Sequence, residues 1–426
     1  MKNEIPKKNR KKLLFPSGFL WGSATSAHQV EGGTNNQWTK WEKENAERLA
    51  KEAKTKWQPW QQEKFPEMFE AQNYISGKAC DHYNRFEEDF DIAKSLGHNA
   101  HRFSIEWSRI EPEEGKFDEK EIEHYRKVLM ALRERGMEPF VTLWHWTNPL
   151  WLEEKGGCEN PEFATYFKRY AGLVAEKLGS NVAFWITINE PTTVILNSYA
   201  AGVWPPQKRN LLSVWRVYRN LAKAHKSAFE EIHVKLPNAK VGFSHIVTFF
   251  EPYRRYSIAD LLAVKIAEYF GNKKILNMTK SHNDFLALQY YFHRKLLFPW
   301  HIQKERLVSD LNWEIYAEGL YHILRWARRY KLPVYITENG LADAKDEKRS
   351  EFIAASLLWV HRAILESIDV RGYFYWSLLD NFEWDKGFWP RFGLVEVDFE
   401  TQERKVRPSA LEYAKICKNN ELEIEI

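Results

Sequence analysis

Eight short apolar runs recur along the chain: Phe19–Thr25, Ala100–Ile105, Pro139–His145, Phe184–Asn189, Lys240–Ile246, Asp284–Tyr291, Pro333–Glu338 and Gly372–Leu378. They are rich in β-branched and aromatic residues and alternate little with polar ones, the pattern of strands buried on both faces in a parallel sheet. Between them lie stretches of helical period. In Glu119–Arg135 the residues Ile122, Tyr125, Val128, Leu129 and Leu132 form one apolar stripe, and Gly136 supplies a C-terminal stop. Further helices are predicted at about Arg85–Leu96, Glu162–Leu178, Ser213–Lys235, Trp313–Tyr330 and Glu351–Ser367.

Strand and helix alternating eight times with no linker predicts an α/β fold, a single closed (β/α)8 TIM barrel, rather than two domains. An open doubly wound sheet fits less well, because the first strand-to-helix turn lacks a glycine fingerprint for phosphate. The segment Trp38–Cys80 is too long for a minimal connection and predicts an elaborated βα loop at the C-terminal face; Asn381–Arg391 is a shorter, aromatic-rich elaboration. Residues 1–14 read as a basic, disordered tail carrying Lys7, Lys8, Arg10, Lys11 and Lys12, and 15–426 as the one folded domain.

Two of the eight runs end in a glutamate: Glu190 in Trp185-Ile-Thr-Ile-Asn-Glu-Pro191 and Glu338 in Val334-Tyr-Ile-Thr-Glu-Asn-Gly340. A carboxylate at the tip of a buried strand must be paired or hydrogen-bonded, so two in matching contexts point to a site. In a barrel the C-terminal strand ends carry the chemistry. The predicted strands put Arg102, His145, Asn189, Glu190, Tyr291, Glu338 and Trp376 there.

Composition narrows the function. With 62 Lys and Arg against 58 Asp and Glu, the formal charge of +4 is too small a field to imply a nucleic-acid partner. No apolar stretch reaches the ~18 residues of a membrane span, and the basic start lacks a following apolar core, so a cytoplasmic protein is expected. The three cysteines, Cys80, Cys158 and Cys417, have neither zinc nor redox spacing. Aromatic residues make up 15% of the chain, and several flank polar residues at strand ends, which suits a sugar ring that stacks on one face and hydrogen-bonds at its edge.

Two carboxyls facing each other about 5–5.5 Å apart are what a retaining glycosidase uses. Arg102 and Tyr291 are the residues expected to hydrogen-bond Glu338 and keep it ionised as nucleophile, while Glu190, with no evident cation, is expected to be the acid.

The motifs Phe19-Leu-Trp-Gly-Ser-Ala-Thr25, Arg102-Phe-Ser-Ile-Glu-Trp-Ser-Arg109, Thr187-Ile-Asn-Glu-Pro191, Ile336-Thr-Glu-Asn-Gly340 and the block from Trp376 to Phe392 occur in one order. In this the chain resembles glycoside hydrolase family one, the β-glucosidase and β-galactosidase family, over nearly its whole length. The resemblance implies Glu190 as acid/base and Glu338 as nucleophile. It places Gln29, His145, Trp146, Asn189, Glu383 and Trp384 on the hydroxyls of the non-reducing-end sugar, Trp376 beneath the ring, and Arg102 and Tyr291 as positioners of the nucleophile. Taken alone, His145 and Trp146 would read as core.

The implied activity is exo-hydrolysis of β-D-glucosides, with β-galactosides and β-fucosides as further substrates, without metal or cofactor. Small β-glycosides are then the partners, and homo-oligomerisation is compatible with the sequence. Glu383-Trp384 argues for free sugars, since 6-phosphoglycosidases usually replace that pair; Lys386 keeps the phosphorylated alternative open, and a non-catalytic glycoside-binding barrel is the other. Gln289 stands where the family often has Asn, so a contact to the nucleophile or leaving group is expected to be longer or lost. The stretch between the two glutamates is short for the family, which implies trimmed loops around strands five and six. Glu31, Trp38 and Trp41 are expected either to line the leaving-group side or to anchor the long loop.

Overall fold

Eight strands close in chain order into a parallel barrel: Leu20–Ala24, Ala100–Ser104, Glu138–Trp144, Phe184–Asn189, Lys240–Ile246, Leu286–Gln289, Val334–Asn339 and Val370–Trp376. The structure is a computed structural model and describes residues 10–298, 300–302 and 307–425. The predicted strands are therefore all present, with ends shifted by two residues or fewer. Inside the lower barrel Phe140 stacks on Phe184 with centroids 4.2 Å apart, and Phe285, Tyr335 and Phe374 complete the layer. This packed floor means that a ligand can enter only from the C-terminal end.

The outer helices follow their apolar stripes. Glu119–Glu134 buries Ile122, Tyr125, Val128, Leu129 and Leu132, and is capped by Asp118, whose carboxylate accepts from the backbone N–H of Lys120 and Glu121. One helix begins later than its pattern predicts, at Glu318 rather than Trp313, because the chain from Ser309 to Trp313 makes a turn of its own and puts Trp313 against the cavity.

Trp38–Cys80 is built from the helices Gln37–Lys56 and Pro59–Lys64 and two short 3₁₀ turns, as the expected elaboration. It is fastened from within: Glu42 receives His28 Nε2 at 2.6 Å through one oxygen, and the backbone and hydroxyl of Ser76 through the other. Glu31 accepts from Arg109 and Tyr125, and Trp38 packs behind Trp204 and Trp384, so of the two expected placements these residues take the anchoring one.

The N-terminal boundary differs from expectation. Arg10–Leu14, assigned from sequence to the basic tail, pair antiparallel with Glu421–Glu425; residues 1–9 lie outside the described residues. The sequence also gave no sign of a three-stranded sheet, Phe249–Pro252, His293–Leu297 and Trp300–Ile302, or of the helix Ile258–Glu268 packed on it.

Candidate functional site

Strands four and seven are irregular where they carry their glutamates. The register of strand four against strand five shifts between Ile186 and Asn189, and that of strand seven shifts against both neighbours after Ile336. Such irregularities re-aim side chains at a barrel rim. Glu190 itself has φ 41°, Trp146 φ 76° and Trp384 φ 51°. Non-glycine residues in the left-handed region cost about 1–3 kcal/mol each and persist where the surroundings enforce them. Gly340, just past Glu338, permits the close approach of strand eight: a Cβ there would lie 2.0 Å from the carbonyl oxygen of Trp376.

Both glutamates line one cavity of about 470 Å³ at the C-terminal mouth, and both are almost fully buried, Glu190 with 3% of its surface exposed and Glu338 with 5%. Their surroundings differ. Glu338 Oε1 receives Arg102 Nη1 and Gln289 Nε2, the latter at 2.5 Å, and Oε2 receives the Tyr291 hydroxyl at 2.8 Å. Arg102 is fully buried and is fixed by Asn189 Oδ1 at 2.6 Å and Thr142 Oγ1 at 3.1 Å. Glu190 has instead, among the described residues, one neutral donor, the Thr193 hydroxyl, at 2.8 Å on Oε2.

Burial raises both carboxyls above the ordinary range. For Glu338 the Arg102 charge and hydrogen bond and the Tyr291 hydroxyl oppose it. For Glu190 the charge of Glu338 adds to burial, and its pKa lies well above the ordinary value. The expected contacts of Arg102 and Tyr291 are thus present, but they do not bring Glu338 to or below the normal carboxylate range, because desolvation in the closed barrel outweighs them. Glu338 is still the more acidic of the two.

The remaining expected residues gather around the same cavity. Gln29, His145, Trp146, Trp376, Glu383 and Trp384 line it, and Asn189 lies behind, its Nδ2 3.0 Å from His145 Nε2 and its carbonyl receiving Trp146 Nε1 at 2.9 Å. His145 is buried and its pKa is pushed well below the ordinary value, so the ring is neutral; its Nδ1 has no hydrogen-bond partner among the described residues. Gln29 donates to Asn381, Phe382 O and Glu383 at 3.1, 2.8 and 3.4 Å, tying the first strand's loop to the eighth. Glu383 is raised to about 7, chiefly by burial and against the pull of Lys386.

Gln289 corrects its expectation. Rather than losing a contact, its longer side chain reaches both Glu338 and Asn189 Oδ1, the latter at 3.0 Å. The reach of Gln289, and Thr193 altogether, are what the sequence did not reveal about this site. The cavity lining also includes the apolar side chains of Leu196, Ile246, Phe250, Phe292, Trp313 and Phe392.

Residues 11–294 and 280–422 match the sequence profile of glycosyl hydrolase family 1. Beta-glucosidase A of Thermotoga maritima is 34% identical, with 96% of this chain and 99% of that protein aligned. Among solved structures, the beta-glycosidase from Pyrococcus horikoshii superposes with TM-score 0.86 at 37% identity over 97% of this chain and 96% of the other. The Thermotoga maritima beta-glucosidase in complex with glucoimidazole gives 0.84 at 32% identity, covering 96% and 99%. The chain belongs to glycosyl hydrolase family 1. It is a retaining O-glycosyl hydrolase of the β-glucosidase type. No helix among the described residues is long and apolar enough to cross a membrane.

Proposed function

We propose that the protein removes non-reducing terminal β-D-glucosyl residues, and also β-galactosyl and β-fucosyl residues, with Glu338 as nucleophile and Glu190 as acid/base. The observation that carries this reading is the unequal surroundings of the two carboxyls. Glu338 has a cation and two further donors, which favour its ionised form; Glu190 has a single hydroxyl donor, and burial and the neighbouring charge of Glu338 outweigh it and favour the protonated form.

In the first step Glu338 attacks the anomeric carbon as the glycosidic C–O bond breaks, and Glu190 gives its proton to the leaving oxygen. In the second, Glu190 takes a proton from water, whose oxygen attacks the anomeric carbon and releases Glu338. Two inversions leave the anomeric configuration unchanged. Gln29, His145, Asn189, Trp146, Glu383 and Trp384 would hold the sugar hydroxyls, and Trp376 would lie under the ring. Arg102 and Tyr291 would position Glu338.

The 6-phosphoglycoside alternative is weakened by Glu383 and by Lys386, which is held by Asp385 at 2.8 Å. NMR of the first product released from an aryl β-D-glucoside tests the reading. The β-anomer is expected first; the α-anomer first would exclude the covalent route through Glu338.

A further inference from the structure

The helix Ile258–Glu268 is turned inside out by the usual standard. Eight of its eleven residues are apolar, yet Asp260 is the one that it buries. A surface helix ordinarily packs its apolar stripe inward. Here Ile258 is 84% exposed, Leu262 56% and Ile266 50%. Other segments extend the same face. Phe298 donates its backbone N–H to Asp260 at 3.1 Å, and Lys274 Nζ sits over the rings of Trp215 at 4.0 Å and Phe270 at 4.9 Å. Those three aromatic residues are about half exposed as well. A connected apolar face of this kind is rare on a protein that meets only water.

Its charge is as uneven as its polarity. Residues 254–280, with residues 208–226 of the segment that carries Trp215, contain twelve Lys and Arg and two Asp and Glu, in a chain whose totals are 62 and 58; of these bases Lys208 and Arg216 pair with Glu159. Both acids are engaged, Asp260 by Arg254 at 2.7 Å and Glu268 by Lys273 at 2.5 Å. The helix itself carries Lys265 as its one base, so the cations come from the neighbouring segments; an exposed apolar patch with Lys and Arg around it suits the headgroup layer of an anionic bilayer. A second copy of this chain fits poorly, since a two-fold contact would set one basic border against another.

The face joins the cavity mouth. Phe250, on the strand beneath the helix, lines the cavity and lies 3.6 Å from where a Cβ on Gly271 would stand; Leu196 also lines the cavity and is 51% exposed.

We propose that this face docks the protein on an anionic lipid surface, with the cavity mouth held at headgroup level. Docking is independent of turnover, so it is measured by flotation with phosphatidylglycerol or phosphatidylcholine vesicles at low and high salt. The wild type should float with phosphatidylglycerol vesicles at least roughly tenfold more than with phosphatidylcholine, and salt should reduce this. Leu262→Glu with Ile266→Glu, and separately Arg255→Glu with Lys265→Glu, should each lose at least roughly tenfold of that binding. Both should keep wild-type hydrolysis of a soluble aryl glucoside, which reports that the barrel is folded. Absence of wild-type flotation at low salt, or equal flotation of wild type and a folded variant, would overturn the proposal. So would a concentration-dependent dimer abolished by Leu262→Glu with Ile266→Glu, which would assign the face to a second copy.

Discussion

The Thr193 hydroxyl donates to Glu190 Oε2 at 2.8 Å, from one turn further along the helix that starts at Pro191. This bond favours the ionised form of a carboxyl that burial and the charge of Glu338 hold in the protonated form. Thr193→Val should therefore raise the Glu190 pKa further and move the basic limb of kcat/KM to higher pH. It should also lower kcat at neutral pH by about 3–10-fold on substrates with poor leaving groups, as an acid loses its orientation. Thr193→Ser should restore both. A basic limb that stays in place in the valine variant would remove Thr193 from the proton-transfer account.

Gln289 is the second residue whose role depends on reach. Its Nε2 bridges Glu338 Oε1 and Asn189 Oδ1, while its Oε1 finds no partner among the described residues. Gln289→Leu deletes a donor to a buried carboxylate, a loss of about 1.5–3 kcal/mol for a charged partner. Steady-state kinetics should show kcat/KM lower by roughly tenfold or more, with the melting temperature little changed. Unaltered kcat/KM would mean that Arg102 and Tyr291 hold Glu338 without it.

Glu383 links the site to stability. Its pKa in the folded protein is raised from 4.5 to about 7, so between those values the folded state holds a proton that the unfolded chain has lost. Stability contributed by the protonated form is complete below about 4.5 and falls as pH rises toward 7. Glu383→Gln removes that penalty. Urea unfolding of the variant against wild type should show a relative gain at pH 8 over pH 5 on the order of 2 kcal/mol, discounted for partial solvent access to the cavity. A difference independent of pH would contradict the raised pKa.

The barrel was legible because parallel strands buried on both faces are continuous apolar runs, and the two glutamates because a charge at the end of such a run has few structural uses. The outward-facing helix Ile258–Glu268 escaped because it is apolar nearly all round and has no polar face to set a period. The pairing of Arg10–Leu14 with the C-terminal strand joins residues some 400 positions apart, and no local pattern encodes it. Thr193 and the reach of Gln289 escaped for a related reason: uncharged polar side chains gain meaning from where a register shift or a helical turn aims them. The raised pKa of Glu338 depends on burial, whereas the sequence displays only candidate partners such as Arg102.

In the proposed mechanism Glu338 forms the bond to the sugar. Its most direct test is Glu338→Gly on an aryl β-D-glucoside, with and without added azide or formate. Activity should fall by at least roughly a thousandfold, and the small anion, entering the vacated space beside Arg102 and Tyr291, should restore turnover. Activity retained within about tenfold of wild type would contradict it, because a missing nucleophile cannot be that dispensable.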